Sequence, residues 1–323
     1  MSGMNQVTDR LRERVRELLA DGKIHTFIGY ERAWDPYRPI PFFATEAGEA
    51  ERLIIDELCV PSTPKYMLDF FGREGVVGLL VKGCDSLAVE RLLRDHRVER
   101  ESMYIIGVAC TGLLDRDKVK ARALEEGWGA VEEVRREGDA FVLVTAAGEK
   151  ELGPEYLMER CRTCEVKVPT VYDELLGEEV AATAEPRDFA EVAEIEAMTP
   201  AERRAYWERQ FSRCIRCFAC RNVCPACNCR ICVFEERVPR WLGRKTDVGE
   251  QEMFHFTRAL HVAGRCVDCG ECDRVCPVNI PLRKLNRKLM KDIGELFGIE
   301  KPFMPAETEP LGQFRPDDPD EFE

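Results

Sequence analysis

The chain has little continuous hydrophobicity and no surplus of positive charge. Its best apolar stretch, VVGLLV at 76–81, is far shorter than the roughly 20 residues that a membrane-spanning helix needs. Lys and Arg number 47 against 60 Asp and Glu, so the formal net charge is -13. Proteins that bind phosphate backbones usually gather Lys and Arg on one face. The composition therefore predicts no membrane span and argues against nucleic acid as the main partner.

A secretory signal is also missing. The first twenty residues, MSGMNQVTDRLRERVRELLA, alternate charges with Leu and Val at helical spacing, and they lack the apolar core and cleavage site of a signal peptide. We therefore expect an amphipathic helix over residues 1–22 and a cytoplasmic protein. In a reducing cytoplasm, clustered cysteines serve as metal ligands more often than as disulfides.

Several motifs of catalysis and nucleotide binding are absent. The sequence contains no G-x-S-x-G, H-E-x-x-H, G-x-x-x-x-G-K or G-x-G-x-x-G motif. The absence of the last motif does not exclude a flavin that is held by other means. No set of residues stands out for proton transfer or for orienting a substrate, which favours electron transfer over catalysis by this chain.

Cysteine, in contrast, is abundant, with 16 residues, and seven of them lie within the nineteen residues CIRCFACRNVCPACNCRIC at 214–232. Two segments have the pattern C-x2-C-x2-C-x3-C-P, which binds iron–sulfur clusters in bacterial-type ferredoxins. The first comprises Cys214, Cys217, Cys220, Cys224 and Pro225, and the second comprises Cys266, Cys269, Cys272, Cys276 and Pro277.

In two-cluster ferredoxins the fourth cysteine of each motif binds the other cluster. The predicted ligand sets for two 4Fe-4S clusters are thus Cys214, Cys217, Cys220 with Cys276, and Cys266, Cys269, Cys272 with Cys224. The alternative is a pair of zinc sites in an interaction module without redox chemistry. Zinc motifs usually pair two C-x2-C knuckles and rarely repeat a triplet followed by C-P, which favours iron.

Four further cysteines lie near or outside these motifs. Cys227, Cys229 and Cys232 open a 41-residue insert between the two motifs. They are either ligands of an additional, fourth cluster that needs a further residue, or thiols without metal. Cys59, in ELCVPST, is expected to be a structural thiol or a partner of that trio.

The first half of the chain has the pattern of a parallel sheet. GVVGLLVKG and MYIIGVA are apolar and rich in β-branched residues, and SLAVERLLRDH between them has helical periodicity. This βαβ pattern predicts adjacent parallel strands. Cys84 and Cys110 follow the two strands, at the sheet edge where α/β proteins bind ligands, and Gly83 and Gly107 lie beside them.

A β-hairpin around Ala147 and Gly148 is predicted from GDAFVLVTAAGEKEL, and it leads into MERCRTCEV, which contains Cys161 and Cys164. Together with Cys84 and Cys110 these make four thiols, enough for a third cluster or one zinc ion if the fold brings them together. Scattered core cysteines are the alternative.

Two features of the second half concern helices. QEMFHFTRALHVAG at 251–264 predicts a helix with apolar side chains at Met253, Phe254, Phe256, Leu260 and Val262, and we assign no role to His255 or His261. The basic segments RWLGRK at 240–245 and RKLNRKLMK at 283–291 either steer an acidic partner or form solvated helix faces.

The predicted fold is an α/β N-terminal module with a small parallel sheet, followed by an α+β or mostly helical two-cluster ferredoxin-like domain. The predicted boundaries are residues 1–22 for the amphipathic helix, 23–180 for the α/β module, 181–208 for an acidic linker, 209–298 for the cluster domain and 299–323 for an extended acidic tail.

Four segments of the first half, FIGYERAWDPYRPIPFF, LLVKGCDSLAVERLL, YIIGVACTGLLD and RCRTCEVKVPTVYDELLGEE, resemble the beta-subunit family of deazaflavin-coenzyme-reducing hydrogenases and dehydrogenases. With the ferredoxin motifs, the chain resembles members in which this module precedes a two-cluster domain, over roughly residues 24–290. The resemblance implies a further cluster at Cys84, Cys110, Cys161 and Cys164, and possible binding of FAD.

The resemblance also implies partner subunits of a hydrogenase, formate dehydrogenase or heterodisulfide-reductase type. We expect an electron-transfer subunit that relays electrons between such partners, without a substrate site of its own. The alternative is a flavin-dependent oxidoreductase subunit that oxidises a reduced nicotinamide or deazaflavin and passes single electrons to its clusters.

Overall fold

The computed structural model describes residues 3–138, 140–177, 188–243, 245–305 and 309–311. The chain folds into two compact units, Met1–Asp188 and Phe189–Glu323. Among the described residues, no helix combines the length and the apolarity needed to cross a lipid bilayer.

The described residues of the first unit form two sheets and four α-helices. Its strands are β1 (Thr26–Glu31), β2 (Ile40–Ala44), β3 (Val77–Val81), β4 (Met103–Val108), β5 (Val131–Glu137), β6 (Ala140–Thr145), β7 (Gly148–Leu152) and β8 (Glu174–Leu176). Its helices are α1 (Gly3–Ala20), α2 (Gly83–Arg94), α3 (Arg116–Glu126) and α4 (Glu159–Arg162), with 3-10 turns at Ala47–Arg52, Pro64–Phe70, Arg100–Ser102 and Pro154–Tyr156.

The larger sheet has the strand order β2-β1-β3-β4-β8. β3 and β4 are parallel, with Val77 opposite Met103 and Val81 opposite Gly107, so the predicted βαβ unit is confirmed. Every residue of β3 is buried, as expected for a strand that is covered on both faces. β2 pairs antiparallel with β1, so the sheet is mixed rather than wholly parallel.

Helix α1 is amphipathic, and its apolar side packs on its own unit. Val7, Leu11, Val15 and Leu18 are buried in a cluster that includes residues of β1 and β3. Burying one such Leu side chain stabilises a fold by roughly 1.5–3 kcal/mol. The helix therefore belongs to the core of the first unit.

The second sheet is antiparallel, with the order β5-β6-β7. The predicted hairpin is present, and Thr145 pairs with Gly148 across a turn formed by Ala146 and Ala147. Its apolar side includes Phe141, which is fully buried in one cluster with Trp128, also fully buried.

The second unit is helical. Its α-helices are α5 (Ala190–Glu196), α6 (Pro200–Phe211), α7 (Ala219–Asn222), α8 (Val248–His261), α9 (Glu271–Arg274) and α10 (Leu282–Phe297), with a 3-10 turn at Val233–Glu235. No β-strand occurs in the part of this unit that the structure describes. The mostly helical form of the prediction is therefore the one observed.

Helices α5 and α6 lie within the stretch predicted as a linker. Residues 178–187 lie outside the described residues, but Ile195, Trp207 and Phe211 are buried together with Phe254 of α8 and Ile280. Helices α5 and α6 thus contribute side chains to the core of the second unit. Of the predicted tail, residues 306–308 and 312–323 lie outside the described residues, whereas Phe303 is buried.

Candidate metal centres

The two ferredoxin-type motifs form loops with the same backbone. In the first loop Arg216 and Phe218 have positive φ angles of 53° and 58°, and the residues at the same positions of the second loop, Asp268 and Gly270, have angles of 54° and 66°. A short helix follows each loop, α7 in the first and α9 in the second. Left-handed residues at these positions turn the chain around one point. Both motifs are therefore shaped as ligand-wrapping loops.

The first predicted ligand set is brought together. Burial raises the pKa of Cys220 to about 11, and the charges of Cys214, Cys276 and Cys217 contribute to this rise. Burial also raises the pKa of Cys214, and Cys276 and Cys217 add to the effect. Because Cys276 belongs to the second motif, this proximity is the crossing that the ferredoxin rule predicts.

The second set is arranged in the same way. Burial raises the pKa of Cys269, and the charges of Cys224 and Cys266 raise it further. Burial raises the pKa of Cys266 to about 12, with contributions from Asp268 and Cys224. Cys272 is close to both Cys269 and Cys266. Cys224, from the first motif, thus lies with three cysteines of the second.

Hydrogen-bond donors in these loops point at the thiols. The backbone N–H of Arg216 donates to Cys214 Sγ at 3.3 Å, and that of Ile280 donates to Cys276 Sγ at 3.3 Å. Buried thiols stay protonated in the absence of a cation, whereas iron binds them as thiolates, which N–H groups stabilise. The four-thiol sets and their donors therefore fit 4Fe-4S clusters.

A single metal ion would require a tighter arrangement. Within the described ranges, no three Cys, His, Asp or Glu side chains are placed to hold one ion. In a 4Fe-4S cluster each thiolate binds a different iron, so its ligands lie further apart.

Helix α8 presents an unexpected polar face to the cluster loops. Gln251, His255 and Arg258 are buried, whereas Met253, Phe256 and Leu260 are 47%, 39% and 62% exposed. The helix predicted at 251–264 is present, and of its apolar side chains Phe254 and Val262 are buried whereas these three are not. The spacing Gln251, His255, Arg258 is helical and was the signal available in the sequence.

Each residue of this polar face contacts a cluster loop. Gln251 Nε2 donates to the Cys214 carbonyl at 3.0 Å, His255 Nε2 lies 3.3 Å from Cys214 Sγ, and an Arg258 nitrogen donates to the Cys220 carbonyl at 3.1 Å. His255 also stacks on Phe211, with ring centroids 4.7 Å apart. Burial lowers the pKa of His255 to about 3, and the charge of Arg258 adds to this effect. His255 is thus a neutral ring beside a ligand thiol.

The basic segment at 283–291 is also partly internal. Arg283 and Arg287 are buried, and both bind the carboxylate of Asp268 inside the second loop. The expectation of a solvated or steering face is wrong for these two arginines. Lys288 and Lys291 of the same helix pair with Glu196 of α5.

In the first unit, the chain approaches the ends of β3 and β4 closely. A Cβ on Gly83 would lie 2.0 Å from the carbonyl oxygen of Val166, so only glycine fits there. The backbone N–H of Cys110 donates to the Lys167 carbonyl at 2.8 Å. The space beside Gly83 is therefore filled by the chain itself, and Gly107 likewise meets Pro169 rather than a free cleft.

The close packing of Val166 and Lys167 against the ends of β3 and β4 brings the four N-terminal thiols together. Burial raises the pKa of Cys110 to about 12, and the charges of Cys161 and Cys164 raise it further. Burial also raises the pKa of Cys84, to which the Cys110 charge contributes. The structure thus gathers the four cysteines at the carboxyl edge of the parallel strands, although they are widely separated in sequence.

A buried lysine lies beside this group. Lys82 Nζ contacts Asp85 Oδ2 at 2.8 Å, the Pro61 carbonyl at 3.3 Å and the hydroxyl of Tyr30. Its charge lowers the pKa of both Cys84 and Cys110. Lys82 was not predicted as a site residue, and its signal in the sequence was its place between a buried strand and Cys84.

The surplus cysteines have different surroundings. Cys59 is fully buried, and its Sγ lies 3.5 Å from Asp56 Oδ1. Cys227 lies near Arg258, Cys229 is exposed, and Cys232 accepts a hydrogen bond from the Arg221 side chain.

The comparisons with known proteins identify the two parts of the chain. Residues 75–183 match the family that describes the C terminus of the beta subunit of coenzyme F420 hydrogenase/dehydrogenase, and residues 210–280 match the 4Fe-4S dicluster domain family. The resemblance drawn from the sequence is therefore confirmed, and so is the presence of a 4Fe-4S domain.

Two relatives match nearly the whole chain. The F420-dependent formate dehydrogenase subunit beta of Methanocaldococcus jannaschii is 23% identical over 337 residues, covering 86% of this chain and 88% of the relative. The F420-dependent formate dehydrogenase 1 subunit beta of Methanococcus maripaludis is 22% identical over 351 residues, covering 90% of each.

Among solved structures, a chain of the F420-reducing NiFe hydrogenase complex of Methanosarcina barkeri matches with a TM-score of 0.43 and 14% identity. The match covers 54% of this chain and 66% of that one. The family matches thus give residues 75–183 as a region of the type found in beta subunits of coenzyme F420 hydrogenase/dehydrogenase, and residues 210–280 as a 4Fe-4S dicluster domain.

Proposed function

We propose that the chain is an electron-transfer subunit that relays electrons between partner subunits of an oxidoreductase complex. The observation that carries the proposal is the crossing of the two loops, which places Cys276 with the first cysteine triplet and Cys224 with the second. Two clusters that share both loops lie close enough for an electron to pass from one to the other.

The two ligand sets differ in their access to the surface. Cys217 of the first set is exposed, whereas Cys224, Cys269 and Cys272 of the second are buried. A cluster near the surface exchanges electrons with a partner more readily than an enclosed one, because the transfer distance is shorter. The first cluster is therefore the one that exchanges electrons with a partner, and the second is an enclosed cluster that exchanges electrons with the first.

A third 4Fe-4S cluster is proposed in the first unit. Its ligands would be Cys84, Cys110, Cys161 and Cys164, which lie together at one edge of the sheet. Burial and the Asp85 charge raise the pKa of Cys84, whereas the charges of Arg160 and Lys82 lower it and favour the thiolate form that iron binds. The remaining thiols, Cys227, Cys229 and Cys232, are either ligands of a fourth cluster that needs a further residue or thiols without metal.

The partners are proposed to be subunits of a cytoplasmic formate dehydrogenase, hydrogenase or heterodisulfide-reductase type of complex. Support comes from the relatives, which are named as beta subunits of F420-dependent formate dehydrogenases. The chain would then pass electrons to or from a partner that holds the substrate site. FAD binding by this chain would change the proposal to a subunit that splits hydride into single electrons.

The test is the content of iron, sulfide, zinc and flavin per chain after anaerobic purification. About twelve irons without flavin would support three clusters and a relay. About eight irons would remove the third cluster from the proposal. One flavin per chain would favour the hydride-splitting function, and zinc in place of iron would overturn both functions.

A further inference from the structure

Arg258 is a buried cation that interacts with cysteines of both ligand sets of the second unit. It projects from α8 and is only 3% exposed. One of its terminal nitrogens donates to the carbonyl of Cys220, a ligand of the first set, at 3.1 Å. The charges of Cys224 and Cys272, ligands of the second set, act on it together with those of Cys227 and Cys220. Arg258 thus adjoins both proposed clusters.

The positive charge of Arg258 has no carboxylate partner among the described residues. Its Nε is buried and makes no hydrogen bond to an atom of those residues. An arginine stays protonated even when buried, and a buried charge is costly unless an anion compensates it. The charges that act on Arg258 are those of cysteines, so the compensation falls to the thiolates and the clusters that they bind.

The other buried charges of this region are already paired. Asp268 binds Arg283 and Arg287, and Glu271 binds Arg274 at 2.6 Å. Arg258 is therefore the charge on this face that remains available to act on the clusters.

A fixed positive charge stabilises a reduced cluster more than an oxidised one. A 4Fe-4S cluster with four thiolate ligands is anionic, and reduction adds one more negative charge. The attraction to a nearby cation grows with that charge and is strong in a buried, weakly screened site. A cation between two clusters acts on both, and it also weakens the repulsion that the first electron exerts on the second.

We propose that Arg258 is a shared counter-charge that raises the reduction potentials of both clusters in the second unit. Arg258 is a tuning residue rather than a ligand, because its hydrogen bond goes to a backbone carbonyl and a guanidinium has no lone pair to offer iron. The inference rests on the proposed clusters and adds to them the residue that sets their potentials together.

The experiment is a redox titration of the anaerobic full-length protein, followed by paramagnetic resonance of the reduced clusters. Arg258→Met is expected to lower the midpoint potentials of both second-unit clusters, and Arg258→Lys is expected to keep them near the wild-type values. Arg204→Met is the matched control, because Arg204 is 73% exposed and its charge is screened by water. The cluster midpoint potentials of the Arg204→Met variant should equal those of the wild type.

The iron content of the wild type separates the two proposals. Fewer than about eight irons per chain in the wild type would overturn the proposed function. With the irons present, unchanged potentials in Arg258→Met would overturn the role of Arg258, and a fall at only one cluster would overturn its shared character.

If Arg258→Met fails to retain iron, a second pair of variants decides the question. Cys227 lies next to Arg258, so Cys227→Asp would place a carboxylate beside the guanidinium and neutralise it without removing it. Cys227→Ser controls for loss of the thiol. We expect both clusters to have lower midpoint potentials in Cys227→Asp than in Cys227→Ser. Equal potentials in the two variants would overturn the proposal.

Discussion

Asp268 and Arg283 form a buried ion pair inside the second cysteine loop, with Arg283 Nε donating to Oδ1 at 2.6 Å and a terminal nitrogen donating to Oδ2 at 2.9 Å. Arg287 adds a third bond to the same carboxylate at 2.6 Å. Asp268 has a positive φ angle and lies between two ligand cysteines, Cys266 and Cys269. Helix α10 therefore holds the loop in its ligand-wrapping form.

Removing this carboxylate should destabilise the second unit. Asp268→Asn removes the carboxylate that binds Arg283 and leaves Arg287 to pair with Glu191, and breaking a buried pair typically costs about 3–5 kcal/mol. We expect a lower free energy of unfolding and a faster loss of iron to a chelator, measured on anaerobic protein. Asp292→Asn, at a half-exposed pair with Lys288, is the control and should cost under about 1 kcal/mol. Equal effects of the two changes would contradict the anchoring role.

The crossing of the two loops predicts which cluster each cysteine serves. Cys276→Ala should alter the paramagnetic signal of the cluster held by Cys214, since Cys276 lies with the first triplet. Cys269→Ala, in the same motif as Cys276, should alter the other signal. Spectra of the reduced variants distinguish the two cases. If Cys276→Ala matched Cys269→Ala instead of Cys214→Ala, each motif would serve its own cluster.

Gly83 should be essential for the N-terminal metal site. Gly83→Ala would push a methyl group to within 2.0 Å of the Val166 carbonyl and separate Cys84 from Cys164. We expect iron to fall from about twelve to about eight per chain, as one cluster holds four irons. Gly48→Ala is the matched control, because nothing lies within 4 Å of its added methyl group. Full iron content in Gly83→Ala would argue against a cluster at this site.

Glu57 should make the first unit less stable as the pH rises. Burial, aided by the Asp56 charge, raises the pKa of Glu57 from 4.5 to about 8. Between these values the folded carboxyl keeps its proton while the unfolded one releases it, so the free energy of unfolding declines with increasing pH. This stabilising contribution is complete below pH 4.5 and is lost as the pH rises through about 8.

Thermal unfolding at several pH values tests the role of Glu57. Glu57→Gln should flatten the decline between about pH 5 and 8, because the amide cannot ionise. Glu74→Gln, at an exposed carboxyl, should keep the wild-type slope. The same slope in all three proteins would show that Glu57 ionises freely.

Local patterns were reliable where neighbours in sequence determine the geometry. The β3–α2–β4 unit, the hairpin before Leu152 and the two C-x2-C-x2-C-x3-C-P loops were all predicted from the spacing of residues. Each depends on the period of a helix or strand, or on ligands a few positions apart. The antiparallel β2 was missed because nothing local to it specifies its neighbour in the sheet.

The sequence by itself therefore determined the ligand types, the two cluster motifs and the parallel sheet unit. Tertiary structure alone decided that Cys84, Cys110, Cys161 and Cys164 meet, and that α8 buries Gln251, His255 and Arg258 instead of Met253 and Leu260. Hydrophobic periodicity assumes that the buried side of a helix faces apolar groups. Here that side faces thiols and carbonyls contributed by loops distant in sequence, so polar and charged side chains are the ones that fit.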